Sequence, residues 1–273
     1  MSEAAEAATP PTGSAWQPFT FGGVAAFSKG RLTRVLLVEL LATVVVGLSL
    51  VWFLHGAYGA VIMQAIQEMP ETAKIDHGHL VGIDTAIIAE SKFLAIAVTP
   101  EPGSKIGQSA DLQAQFRQDN FRVCSVLRPD WGLEFGYAPD ASVMLGQSIL
   151  EPWWGAWHPV IYVAAGLIVI VLLFGIWALL AVFYTLPAKF IAWFTDRDLS
   201  WGGAWRMCSA AQVSGASVMV MATFLYGWGA IDLVGVLFFF VAHLLVDWVY
   251  VIGGAWKCPR GELPKPNQNP FTA

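Results

Sequence analysis

The sequence predicts an α-helical integral membrane protein: four transmembrane helices, with a small α+β extracytoplasmic domain inserted between helices 1 and 2. Three observations predict it. Four long apolar runs interrupt the chain. Every Lys and Arg near their ends falls on one side. Residues 57–157, between the first two runs, mix polar and apolar residues in the manner of a folded domain.

The first apolar run is Val35–Leu54, with one charge, Glu39, and predicts transmembrane helix 1 over 35–56. The second, Val160–Leu186, predicts helix 2 over 158–186, stopped by Pro187. The third and fourth predict helices over 209–226 and 233–252. A bilayer core needs roughly 20 apolar residues at about 1.5 Å rise each. At these lengths, without barrel-like alternation, only a helix satisfies its own backbone in hydrocarbon. The first run is longer than the ~7–15 residues of a signal-peptide core, which points to an uncleaved anchor.

Lys29, Arg31 and Arg34 precede helix 1. Lys189, Arg197 and Arg206 lie between helices 2 and 3, and Lys257, Arg260 and Lys265 follow helix 4. The opposite flanks, 57–72, 143–157 and 227–232, hold no Lys or Arg. The positive-inside rule then makes 1–34 a cytoplasmic tail, 187–208 a cytoplasmic interfacial segment and 253–273 a second cytoplasmic tail. Both termini are thus expected in the cytoplasm, the protein in the inner (cytoplasmic) membrane, and 57–157 outside. Trp153, Trp154 and Trp157 on the outer side, and Trp193, Trp201, Trp205 and Trp256 on the inner, are placed to anchor the chain in the lipid headgroup regions. Lys189 to Phe194 suggests a short helix lying in the headgroup plane, and Ser200 a helix N-cap.

Net charge is −5, and 57–157 holds twelve acidic against six basic residues. An acidic outer domain disfavours nucleic acid as a partner. Cys124 falls outside and Cys208 and Cys258 at the inner face, so no disulfide can bridge the bilayer and the external domain is expected to fold without one. Residues 1–15 and 259–273 have the composition of disordered tails.

Within the external domain, 57–69 continues the first helix to Pro70, and Asp76-His77-Gly78-His79 makes a turn. Leu80–Ala89, Lys92–Val98 and Phe121–Leu127 are expected strands, the second apolar on both faces and therefore central. Pro100–Gly107 is expected as a loop, Ser109–Phe116 as a short helix and Arg128–Gly132 as a turn.

No P-loop, G-x-S-x-G, C-x-x-C or H-E-x-x-H occurs, so no catalytic residue and no cofactor is assigned. Asp76, His77 and His79 have spacing compatible with a weak metal site, but no second cluster completes it, and no metal is assigned. Ionisable groups inside a membrane are costly and therefore informative. Glu39 lies one turn inside helix 1, and His243 and Asp247 share a face of helix 4 at i, i+4. With Gln212 on helix 3 they are the intramembrane polar candidates. Two readings stay open: a proton- or cation-linked site of Glu39, His243 and Asp247, or polar contacts holding helices together.

The stretch Met69-Pro70-Glu71 through Ile75-Asp76-His77-Gly78-His79-Leu80 resembles a P-E … I-x-x-G-x-L pattern, and Leu199-Ser200 through Ala204-Trp205-Arg206-Met207 resembles the start of a helical hairpin in Yip-like membrane proteins. Together, over about residues 19–256, they resemble a bacterial group of uncharacterised Yip-superfamily proteins, some associated with maltodextrin utilisation. That resemblance carries no catalytic residues and implies a non-enzymatic membrane role. The expected function is that of a non-catalytic assembly, scaffold or ligand- or partner-binding protein, with membrane lipid around it and a protein partner or a homo-oligomer. The alternatives are a small transporter or accessory permease subunit using Glu39, His243 and Asp247, and an envelope- or lipid-modifying membrane enzyme.

Overall fold

The computed structural model describes residues 17–84, 86–99 and 109–261. Four helices are long and apolar enough to cross a membrane: α2 (Leu32–Gln67), α3 (Gln147–Phe194), α4 (Trp201–Gly227) and α5 (Leu233–Lys257). A seven-residue helix, α1 (Phe21–Phe27), precedes them. Eight strands lie between α2 and α3. At ~1.5 Å per residue, α2 and α3 are about 54 and 72 Å long, well beyond a ~30 Å hydrocarbon core.

The chain divides into two compact units, one built from 1–47, 169–222 and 234–273, the other from 48–168 and 223–233. In the first, α4 is the central helix. Every residue from Met207 to Ala216 is buried, so this stretch of the helix is enclosed on all sides rather than along one stripe. Small residues (Ala204, Cys208, Ser209, Ala211, Gly215) let neighbouring backbones approach it. Its N-terminus is capped as expected, with Ser200 Oγ accepting from the Gly203 N–H at 3.1 Å.

Residues 17–28, expected in a cytoplasmic tail, pack into this unit. Ser214 Oγ donates to Pro18 O at 2.8 Å and Arg206 to Ser28 O at 2.7 Å. Those two contacts lie about 12 Å apart along α4, so α1 runs beside it. On α5, a Cβ at Gly253 would fall 2.5 Å from the Phe21 ring and one at Gly254 2.9 Å from Val24. The glycine pair is therefore a docking surface for α1 inside a continuous helix. It does not mark the helix end expected from sequence.

Pro187 does not stop the second span. α3 continues through it to Phe194, and the expected separate interfacial helix is the last part of α3. The ring removes one donor, which leaves the carbonyl of Phe183 without its usual helical partner.

In the second unit, five strands lie in the order β3-β4-β5-β6-β7: β3 (Ala86–Glu90), β4 (Leu94–Thr99), β5 (Leu112–Arg117), β6 (Asn120–Ser125) and β7 (Arg128–Gly136). Only β4 and β5 pair in parallel. β4 is buried at all six positions and has strands on both sides, as its two apolar faces predict. β5 replaces the helix expected over 109–116; Leu112, Ala114 and Phe116 alternate with glutamines at a period of two. The expected turn at Arg128–Gly132 is instead part of β7. The chain reverses at Val126-Leu127, and Pro129, Asp130 and Trp131 form a bulge between the Ser125–Arg128 and Cys124–Gly132 pairs. The loop expected at Pro100–Gly107 lies outside the described residues, as do most of the two tails.

A second sheet, β2-β1-β8, combines β1 (Lys74–Asp76), β2 (His79–Val81) and β8 (Ser142–Met144). His77 and Gly78 both have positive φ, at 49° and 79°. That is the geometry of a two-residue hairpin turn whose twist matches its strands.

The C-terminal part of α2, with the turn that follows it, forms one wall of this unit's core. Val61, Ala65 and Met69 pack with Leu94, Ile96 and Val98. Glu71 ties the start of α3 back to the end of α2, accepting from Ser148 N at 2.9 Å and from Ser148 Oγ at 2.8 Å.

Candidate functional site

The intramembrane polar residues named from sequence are all in the first unit, but they divide. Glu39, 1% exposed, accepts a 2.8 Å hydrogen bond from Ser209 Oγ on α4. Asp247, 2% exposed, lies against Gly215, so closely that a Cβ there would clash with its Oδ1. Ser209 and Gly215 are six residues apart, about 9 Å along α4 and ~120° around it. Glu39 and Asp247 therefore sit on different flanks of the central helix and do not form one triad with His243. Gln212, between them, donates from Nε2 to Trp177 O at 3.0 Å on α3. One oxygen on each of Glu39 (Oε1), Gln212 (Oε1) and Asp247 (Oδ1), together with His243 Nδ1, is buried without a hydrogen-bond partner. The His243 ring packs on Phe240 with centroids 4.8 Å apart.

Arg34 and Arg206 are not counter-ions for these carboxylates. Arg206 is committed to Ser28 O, and no ion pair to Glu39 or Asp247 occurs among the described residues.

Sequence reasoning missed the segment ahead of α1 that is bonded to α4 and α5. Pro18 O is bonded by Ser214, adjacent to Gly215, and Phe19 O accepts from Tyr250 OH at 2.9 Å, one turn from Asp247. Both carbonyls belong to non-helical backbone ahead of α1, whose N-cap, Thr20, accepts from Gly23 N at 3.0 Å. The signal available was a Thr N-cap followed by Phe21-Gly22-Gly23 and the Gly253-Gly254 pair that receives it.

The second unit presents an open apolar surface. Register places Leu112, Ala114 and Phe116 on the same side of the sheet as Phe121, Val123, Leu133 and Phe135. The first three join the core that α2 covers. The last two stand open at 56% and 55% exposure, and Phe121 and Val123 are half-buried. The opposite side is polar: Gln113, Gln115, Arg117, Arg122 and Glu134, with both arginines 3.5 Å from Glu134.

This sheet is seated on the helix ends of its own unit. Tyr226 OH donates to Asp111 Oδ2 at 2.6 Å, and Lys92 Nζ to Ile231 O at 3.0 Å. Phe53 rests against Phe93 and Tyr226 with ring centroids 5.5 and 5.2 Å away.

Of the expected tryptophan anchors, Trp153, Trp157, Trp193 and Trp201 are more than half exposed. Trp154 is buried, stacked on His158, and Trp205 donates its Nε1–H to Ala178 O at 3.1 Å, so these two serve packing. His79 Nδ1 meets Asp119 Oδ1 at 2.7 Å and His77 Nδ1 meets Asp76 Oδ1 at 2.9 Å. The two histidines thus take different partners, and no metal-holding cluster occurs among the described residues. Lys74 beside Asp76 holds its carboxyl below the usual range. Cys124, Cys208 and Cys258 are free and buried.

No family model matches the chain, and no curated protein and no solved structure matches it.

Proposed function

We propose that this chain is a non-catalytic inner-membrane protein with cytoplasmic termini, whose exported sheet domain mediates assembly with a second copy of itself. The orientation is supported by the one-sided placement of Lys and Arg around the four apolar helices. The assembly role is carried by one observation: the apolar side of the sheet continues past the part covered by α2 and leaves Leu133 and Phe135 exposed beside the half-buried Phe121 and Val123. That patch carries no charge, so it meets its own copy without desolvating an ion. Membrane anchoring holds the patches of two copies at one height, which favours a two-fold, self-complementary contact. Fully burying a Leu or Phe contributes about 1.5–3 kcal/mol, and confinement to a membrane lowers the ~4–15 kcal/mol cost of association. The charged side of the same sheet has no comparable surface to offer a twin.

The test has two arms. In intact cells a membrane-impermeant maleimide should label Asp140→Cys and spare Lys257→Cys, since the native cysteines are all buried. The reverse labelling would refute the orientation. By native mass spectrometry in lipid nanodiscs, the wild type should be dimeric and Phe135→Glu monomeric with an unchanged melting temperature. A monomeric wild type, or a dimer indifferent to Phe135→Glu and Leu133→Glu, would refute the assembly role.

A further inference from the structure

We propose that a cavity between the α1–α2 turn and the start of α4 binds the headgroup of one phospholipid, phosphatidylethanolamine, with its phosphate on Lys29 and its ammonium on Asp198. The site lies in the helical unit and does not depend on the assembly role of the sheet. It rests only on the four apolar helices lying in a membrane.

Ser28, Lys29, Asp198, Leu199 and Ser200 line a cavity of about 110 Å³, room for a small polar group rather than for an acyl chain. Two opposite charges stand in its wall. Lys29 Nζ lies 3.3 Å from Asp198 Oδ2, with the side chains 63% and 61% exposed. A solvent-facing pair of this kind contributes little to stability. A ligand that brings both an anion and a cation replaces this one weak pair by two. The helix beside the cavity sets their order. Ser200, the N-cap of α4, takes the Gly203 N–H on its Oγ and the Ala204 N–H on its carbonyl. The N–H groups of Trp201 and Gly202 take no partner among the described residues. First-turn N–H groups point back along the helix axis, here toward Leu199 and Ser200 in the cavity wall. No acidic residue stands in this first turn to answer them. The anionic half of the ligand therefore belongs at Lys29 and the helix start, and the cationic half at Asp198.

The neighbouring charges agree with that polarity. Lys189 donates to Leu199 O, its Nζ 5.5 Å from the centre of the Trp201 ring, and Arg206 donates to Ser28 O. Both bring positive charge to the side where the phosphate lies. Arg197 is turned away to Cys258 O. A lipid is favoured over a free headgroup by what stands around the cavity. Trp201 adjoins Ser200, and Phe190, Trp193 and Phe194 end α3; all four are at least 60% exposed. Exposed aromatic rings at the ends of apolar helices mark the headgroup level of a bilayer. Asp198 selects among headgroups. A primary ammonium offers it three N–H donors, a quaternary one offers none, and a glycerol headgroup offers no charge.

The test mixes delipidated full-length protein in detergent with equal amounts of dioleoyl phosphatidylethanolamine, phosphatidylglycerol and phosphatidylcholine, and reads the bound lipid by native mass spectrometry. The wild type should retain phosphatidylethanolamine about five-fold better than either of the others. Asp198→Ala should abolish its preference over phosphatidylglycerol. Lys29→Ala should lower retention of all three, which share the phosphate. Asp196→Asn should change nothing, since that side chain does not line the cavity. Soluble glycerophosphoethanolamine, the same headgroup without chains, should not displace the bound lipid. Equal retention of the three lipids by the wild type overturns the proposal, as does a preference that survives both Asp198→Ala and Lys29→Ala. Displacement by the soluble headgroup overturns the lipid as the ligand. Should either variant not fold, the wild-type order of the three lipids still decides.

Discussion

A single missing side chain lets a carboxyl group lie on the central helix. At Gly215 a Cβ would clash with Asp247 Oδ1 and approach His243 O to 2.8 Å. Neither obstacle moves cheaply, because one is backbone and the other is fully buried. Gly215→Ala should therefore destabilise the protein by about 1–3 kcal/mol, the usual cost of overfilling a packed core. Shortening the partner in the same chain, Gly215→Ala with Asp247→Ala, should recover part of the loss in detergent melting curves. Additive losses would mean that the two residues do not touch. Glu71 makes a different local prediction. The Ser148 hydroxyl and N–H that bond its carboxylate hold the group below its ordinary 4.5. A depressed folded-state value means that its stabilisation is fully present above about 4.5 and is lost as pH falls through the lower folded value. Glu71→Gln should lower stability at neutral pH and flatten the acid limb below pH ~4.5, so that the two proteins converge as the pH falls.

Whole helices follow composition more faithfully than their ends do. The centres of all four apolar helices were legible, because some twenty apolar residues admit few other structures. Their limits were not, and Pro187 shows why. A proline ends a helix in water, where a carbonyl without a helical donor readily finds solvent. In an apolar surrounding, leaving the helix would expose still more backbone, so α3 runs on to Phe194. Pro187→Ala supplies the absent N–H to the Phe183 carbonyl and should raise stability, by as much as ~3 kcal/mol. A lower melting temperature would show that the neighbouring Tyr184 and Ala188, both buried, need the backbone geometry that the proline imposes. In the sheet, Ser109-Ala110-Asp111 imitated a helix start and concealed the alternation of Leu112 to Phe116, which belongs to β5. Asp247 was legible as a costly residue, but its surroundings were not. α1 is seven residues long, too short to announce a buried element, and the Gly253-Gly254 surface that receives it lies at the far end of the chain.

At the scale of the molecule, the sheet and the helix ends beneath it belong to one compact unit, 48–168 with 223–233. Its cohesion comes from two kinds of contact. α2 shares an apolar core with β4, and the start of the sheet is clasped by Tyr226 to Asp111 and by Lys92 to Ile231. If these act together, weakening the clasp loosens regions that it does not touch. Tyr226→Phe removes the donor to Asp111 and keeps the ring against Phe53 and Phe93, so it deletes one hydrogen bond to a carboxyl group, about 1–3 kcal/mol. Amide exchange should then accelerate by about ten-fold or more in β4 and in the α2 stretch from Tyr58 to Ala65 alike, although neither contains the altered residue. Acceleration confined to 223–233 would instead mean that the clasp only orders a loop and that the α2–β4 core holds the unit alone. Cooperative loosening would mean that the sheet and the α2 stretch beneath it open as one unit, 48–168 with 223–233.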